Sequence, residues 1–182
     1  MSSEFASAGL TAGQLNAIVK KLGGHDMALR FLRGDLQVTT VHYIIDCDAD
    51  PFTPEGWKVE EHNKMGQLEW DPTRVILYLS PNQKDGKYVE GNKLRKELAD
   101  KPVLNANVLD HLLANPHLIP KEWKVGEQDH ARYIFFWGTI YRYSNGYLCV
   151  RCLYFVGSRW RWVYFWLDYV WVGSGPAVCL AS

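Results

Sequence analysis

An α+β fold is predicted by three features of the sequence. Residues 11–32 and 92–113 carry apolar side chains at helical spacing. The chain from Tyr133 onward alternates at period two, and Asn145-Gly146 stands between two alternating runs, where a hairpin turn belongs. Helices first and an antiparallel meander last is the order of an α+β domain, read here as a single domain over residues 1–182.

The elements follow in order. Thr11-Ala12-Gly13-Gln14 spells a capping box, with Leu10 and Leu15 at staple positions, and Leu15, Ile18, Val19 and Leu22 form one face before Gly23. Met27, Ala28, Phe31 and Leu32 mark a second helix that ends at Gly34. Val38 to Ile45 is rich in β-branched residues and reads as a strand. Residues 51–74 contain Pro51, Pro54, Gly56, Gly66 and Pro72 and read mostly as loop, followed by a strand from Arg74 to Ser80. Asn92 to Leu98 and Asn105 to Leu113 are helices, each beginning at an Asn that can cap. Three strands then run from Tyr133 to Tyr143, Tyr147 to Val156 and Arg159 to Leu167, joined at Ser144-Asn145-Gly146 and Gly157-Ser158.

Composition excludes several classes. Twenty basic and 20 acidic side chains cancel, so binding to nucleic acid through phosphate neutralisation is not expected. The paired N-terminal helices, with Lys20, Lys21, Arg30 and Arg33, resemble a helix-turn-helix only in outline, and most such hairpins are structural. No apolar stretch is long enough for a membrane span, and Met1 to Leu10 shows no Sec-type signal. A cytoplasmic location is the default expectation, with display at a cell or virion surface left open. Four cysteines read as reduced thiols.

Two motifs invite catalytic or metal readings. Asp46, Asp48 and Asp50 follow an apolar strand, which would suit an EF-hand loop or a metal-dependent phosphotransferase. Pro51 and Trp57 stand where the calcium loop needs Gly and Glu, so that loop fails. The phosphotransferase, with Asp46 and Asp48 and with Ser80 as its second motif, is the alternative function; it lacks a later strand ending in paired aspartates. Cys149-Val150-Arg151-Cys152 has zinc-like spacing, but on a strand its sulfurs point to opposite faces. No second such pair exists, and the six histidines show no ligand spacing. No metal and no cofactor are expected.

The C-terminal tail is the sharpest signal. Residues 144–182 contain no Lys, Glu, Gln or Met, although residues 1–143 contain 11, 9, 5 and 3 of them. Four of the eight tryptophans lie in this tail. In the third strand Trp160, Trp162, Tyr164 and Trp166 share one face, which reads as core. Arg159, Arg161, Val163, Phe165 and Leu167 share the other, a mixture without a physical theme. A strand buried on both sides is the plainer account of that mixture.

These residues carry a resemblance. The segment from Phe135-Phe136-Trp137-Gly138-Thr139-Ile140-Tyr141-Arg142 through Arg159-Trp160, Trp162, Trp166-Leu167-Asp168 and Trp171 to Leu180-Ala181-Ser182 resembles the variable proteins of diversity-generating retroelements, most closely the archaeal and candidate-phylum type. Ile45-Asp46-Cys47-Asp48-Ala49-Asp50-Pro51 and Gly91-Asn92-Lys93-Leu94-Arg95-Lys96-Glu97-Leu98-Ala99-Asp100 extend the likeness upstream. In that family an RNA template is copied with substitution at adenines, and the copy replaces the 3′ end of the gene. The resemblance implies a C-type lectin-like fold with a variable region of about residues 150–182, no enzymatic activity, and a selected ligand such as a protein or cell-surface component.

An AAC codon varied at its adenines never encodes Lys, Glu, Gln, Met or Trp, the first four of which the tail lacks. The variable, ligand-binding positions implied are Phe155, Val156, Ser158, Arg161, Val163, Phe165, Tyr169, Val170, Val172, Gly173, Ser174 and Gly175. Trp160, Trp162, Trp166 and Trp171 would be scaffold. The Trp-Asn-Asp calcium motif of sugar-binding lectins is absent, so calcium-dependent sugar binding is not implied.

Overall fold

Among the described residues, four α-helices and ten β-strands are formed. The computed structural model describes residues 9–37, 41–124, 131–173 and 175–181, and it is an α+β arrangement. The sequence reads as one domain; the chain divides into two compact units, Met1–Val41 and His42–Ser182.

The first unit is a helical hairpin. Thr11 caps α1 (Ala12–Lys21) through both bonds of the capping box, and Gly23 and Gly24, at φ +95° and +108°, turn the chain into α2 (His25–Leu32). The expected apolar face is not a core: Leu15, Ile18, Phe31 and Leu32 stay exposed, and α1 buries no side chain. Neither α1 nor any other described helix is long and apolar enough to cross a membrane.

The second unit is built on a mixed sheet. Its strands are β4 (Val75–Tyr78), β10 (Ala177–Leu180), β6 (Ile134–Arg142), β7 (Leu148–Val156) and β8 (Arg159–Trp166), in that spatial order, with β2 (Lys58–His62) also paired to β6. All pairings are antiparallel except β10 with β6. Two small ribbons flank it: β1 (Ile44–Asp46) with β3 (Gln67–Glu69), and β5 (Val89–Glu90) with β9 (Val170–Trp171). Residues 51–74, read as loop, thus contain two strands. The strand expected from Val38 forms only at Ile44–Asp46, and residues 38–40 lie outside the described residues.

Alternation along the strands divides the core between the two sheet faces. On one face Ile134, Phe136, Leu153 and Val178 pack with α4 (Ala106–Ala114) through Val108, Leu109 and Leu112. On the other Phe135, Trp137, Val150, Cys152 and Leu167 pack with α3 (Gly91–Leu98) through Leu94 and Leu98.

α4 is fastened to the sheet by polar groups. Asn105, its N-cap, donates from Nδ2 to the carbonyls of Cys47 and Asn63 at 2.8 and 3.0 Å, and Ala106 N–H donates to Thr139 Oγ1 at 3.0 Å. Gly138 lies where the β6–β7 register shifts, and its N–H donates to the Leu104 carbonyl. A Cβ there would stand 2.9 Å from the Asn105 backbone.

One helical turn further on, Arg151 of β7, 1% exposed, donates to both oxygens of Asp110 at 2.6 and 2.9 Å. Its guanidinium lies 4.4 Å from the Trp162 ring centre and 5.3 Å from that of Phe52. Burial works against the charge, and the Asp110 carboxylate together with Tyr141 outweighs it, so the net shift favours the charged form.

Gly138→Ala should cost about 3 kcal/mol, because backbone rather than a flexible side chain would have to give way. Asp110→Asn should also cost about 3 kcal/mol, since it strands a buried cation. Arg151→Met should cost less, because the Asp110 carboxylate, 30% exposed, can turn to water while Met keeps the contact with Trp162. Urea midpoints at constant m-value check both the sizes and their order.

Candidate ligand-binding surface

The expected binding positions fall at the end of β7, on β8, and on the connections either side of β8, the second of which includes β9. At the β7–β8 hairpin, Gly157 and Ser158 have φ of +55° and +70°. Two positive φ values give a turn whose twist matches the flanking strands. Ser158 bears a Cβ in that conformation and is strained. Val156, Ser158 and Arg161 are exposed around this tip, and Phe155 is half-buried, with Lys124 Nζ 4.4 Å above its ring.

The far end of β8 leads into a loop whose described residues, 167–173 and 175, are held from upstream through their main chain. Asn92 N–H donates to the Leu167 carbonyl and Gly91 N–H to the Tyr169 carbonyl, each at 3.0 Å. Asn92 Nδ2 reaches Asp168 Oδ1 at 2.8 Å. Buried Gln83 donates from Nε2 to the carbonyls of Val172 and Gly175 at 3.0 and 3.2 Å. Gly91 has no alternative, because a Cβ there would lie 2.5 Å from the Leu167 oxygen. Along this loop Tyr169, Val170 and Val172 are 59%, 60% and 50% exposed, and Gly173 is exposed beside them. Pairing of Val89 with Trp171 and Glu90 with Val170 sets exposed Tyr88 next to the same patch. No signal in the sequence pointed to Tyr88 or Gln83, whose roles come from long-range pairing.

Three expected positions do not suit display. Val163 and Phe165 are half-buried on the α3 face, where Phe165 meets the rings of Tyr133, Phe135 and Trp171 at 5.3–5.8 Å. The mixed face of β8 has a partner after all, which is the two-sided burial weighed as the plainer account. Gly175 is buried, and a Cβ there would meet Phe135 at 2.9 Å. Ser174 lies outside the described residues. The remaining positions form two groups rather than one rim, because eight strand residues separate the tip from the loop by about 25 Å.

The tryptophans also separate. Trp160, Trp162 and Trp166 are half-buried on the α4 face, while Trp171 is buried on the opposite one against Phe135 and Trp137. Trp57, from the loop before β2, packs edge-on to Tyr141, Tyr143, Trp162 and Tyr164.

The aspartate cluster is occupied with its own loop. Asp46 Oδ1 accepts from the N–H groups of Asp48 and Ala49, and Asp48 Oδ1 accepts from Gly66 N–H. Asn107 of α4 holds the Asp46 and Ala49 carbonyls. Ser80, the would-be second motif, is buried and donates to Glu97 Oε2 of α3, the helix on the other sheet face. Among the described residues no group of three His, Cys, Asp or Glu side chains is placed to hold a metal ion. Cys149 and Cys152 are buried in different clusters, and burial pushes Cys149 up to about 12 and Cys152 higher still. No protein-family model matches the sequence, and no curated protein or solved structure matches it either.

Two outcomes follow from these positions. Ser158→Asn should raise stability by about 1 kcal/mol, since Asn tolerates positive φ better than Ser, and a thermal melt would read it. Iodoacetamide at about pH 8 should leave all four cysteines intact in the folded protein and modify all four in urea, as counted by mass spectrometry. Buried thiols with raised pKa supply almost no thiolate at that pH.

Proposed function

We propose that this is a non-enzymatic binding protein of the retroelement-diversified kind, with a C-type lectin-like arrangement, whose C-terminal segment carries the varied residues. One observation supports this most strongly. The loop that bears Tyr169, Val170 and Val172 is held through its own carbonyls by Gln83, Gly91 and Asn92. Such bonds do not depend on the side chains of the loop, so those side chains can change while the loop keeps its path. An exposed apolar patch of Tyr88, Tyr169, Val170 and Val172 is the kind of surface that marks an interaction site. Tyrosine and arginine, here Tyr169 and Arg161, are the types that dominate interface energies. The ligand in this reading is a protein or a cell-surface component chosen by selection.

The display set is Phe155, Val156, Ser158, Arg161, Tyr169, Val170, Val172 and Gly173. A library varied as AAC codons at Val156, Ser158, Arg161, Tyr169, Val170 and Val172, displayed on yeast and challenged with protease, should remain largely folded. The same variation at Val163, Phe165 and Gly175 should unfold most members, because Phe165 and Gly175 abut Phe135 and Val163 packs on the same core. Equal losses in the two libraries would contradict the reading. At the gene, the reading expects a nearby near-copy of the 3′ coding segment that differs only where the copy has adenine.

A further inference from the structure

We infer that the ligand is a polypeptide that binds as an extended segment, adding a strand to the open edge of β8. The inference rests on the display reading and names the partner that β8 fits.

Among the described residues β8 pairs only with β7 and ends the sheet. Which of its main-chain groups face outward follows from the ladder. Leu167 N–H donates to the Leu148 carbonyl at 2.9 Å, and the register runs unbroken from Cys149–Trp166 to Val156–Arg159. In an antiparallel pair, alternate residues bond to the same neighbour. Odd-numbered residues of β8 therefore bond to β7, and Trp160, Trp162, Tyr164 and Trp166 direct their N–H groups to the open side. The carbonyls of the first three point the same way, while that of Trp166 accepts from Tyr169 N–H.

This edge lacks the usual protection. Sheet edges are normally kept short, bulged, or interrupted by Lys or Pro. β8 has eight residues, neither Lys nor Pro, and no register shift against β7. Its side chains from Trp162 to Trp166 are all half-buried, so a docked strand would find apolar surface on both faces. The only charges on β8 are Arg159 and Arg161, both exposed and without an acidic partner among the described residues. An extended segment with aspartate or glutamate opposite these arginines completes the edge. In such docking the main-chain bonds supply affinity whatever the sequence, and flanking side chains supply specificity. That division suits a strand of fixed backbone beside the varied positions 156, 158 and 161.

The test uses the full chain and a displayed library of linear peptides, with a library of folded domains screened in parallel. Selected peptides should be enriched in Asp and Glu. Resynthesis with one N-methyl amide at a time should weaken binding about tenfold at every second position and leave the alternate positions unchanged. Arg161→Glu should weaken the same peptides by a similar factor. Tyr164→Pro removes an outward N–H without touching the β7 ladder and should abolish binding; should that variant unfold, the N-methyl scan on the unaltered protein still decides. A scan without alternation, or a linear library that yields no binder, would overturn strand addition. If folded domains are captured through Tyr169 and Val172 and tolerate Tyr164→Pro, the display reading stands and strand addition falls. If neither library yields a binder, both fall.

Discussion

A guanidinium in the middle of a buried strand must be neutralised where it stands, and Asp110 does so for Arg151 with two hydrogen bonds. The pair fixes the height and rotation of α4 over the sheet, because a bidentate contact tolerates little displacement. Trp162 covers the guanidinium from β8, and Phe52 approaches from the loop that follows the aspartate turn. The helix α4, the strand β7, the edge strand β8 and an upstream loop thus meet at one side chain. The second attachment of α4, through Asn105, Thr139 and Gly138, sits at its N-terminus, so the helix is held at two points along its length.

The other face of the sheet shows how the same framework serves a surface. α3 presses Leu94 and Leu98 into the core and offers the backbone N–H groups of its first residues, Gly91 and Asn92, to the loop beyond β8. Gln83 holds the same loop, before β10, with its side-chain amide. Anchoring through carbonyls separates the path of the chain from the identity of its exposed side chains. β8 lies between these regimes. Its odd residues bond β7 and bury Val163 and Phe165, while its other edge is open.

Much of this was legible in the sequence where the cause is local. The capping box at Thr11, the Asn105 cap and the turns at Asn145-Gly146 and Gly157-Ser158 depend on a few neighbouring residues, and each lies where the pattern puts it. β2 was illegible because its charges look like loop. Glu60 pairs with Arg142 across the sheet and Glu61 with Arg95 of α3, partners that only the fold supplies. β10 is four residues long, and nothing local says that it inserts between β4 and β6. Arg151 passed as one letter of a cysteine motif, although a lone Arg in an apolar strand and a lone Asp in an apolar helix were the two halves of a signal. For the site, period two correctly separated the faces of β8, but it could not tell that α3 and Trp171 cover the second one.

The central claim is that the loop after β8 holds its shape without help from the side chains it exposes. Hydrogen exchange at the amides of Gly91 and Asn92 measures this directly, since those N–H groups are bonded to the Tyr169 and Leu167 carbonyls. Protection at both should be the same in the unaltered protein and in a variant with Tyr169, Val170 and Val172 all changed to Ser. Protection lost at Gly91 and Asn92 in the variant, with the β6–β7 amides still protected, would show that the displayed side chains build the loop and would contradict the account.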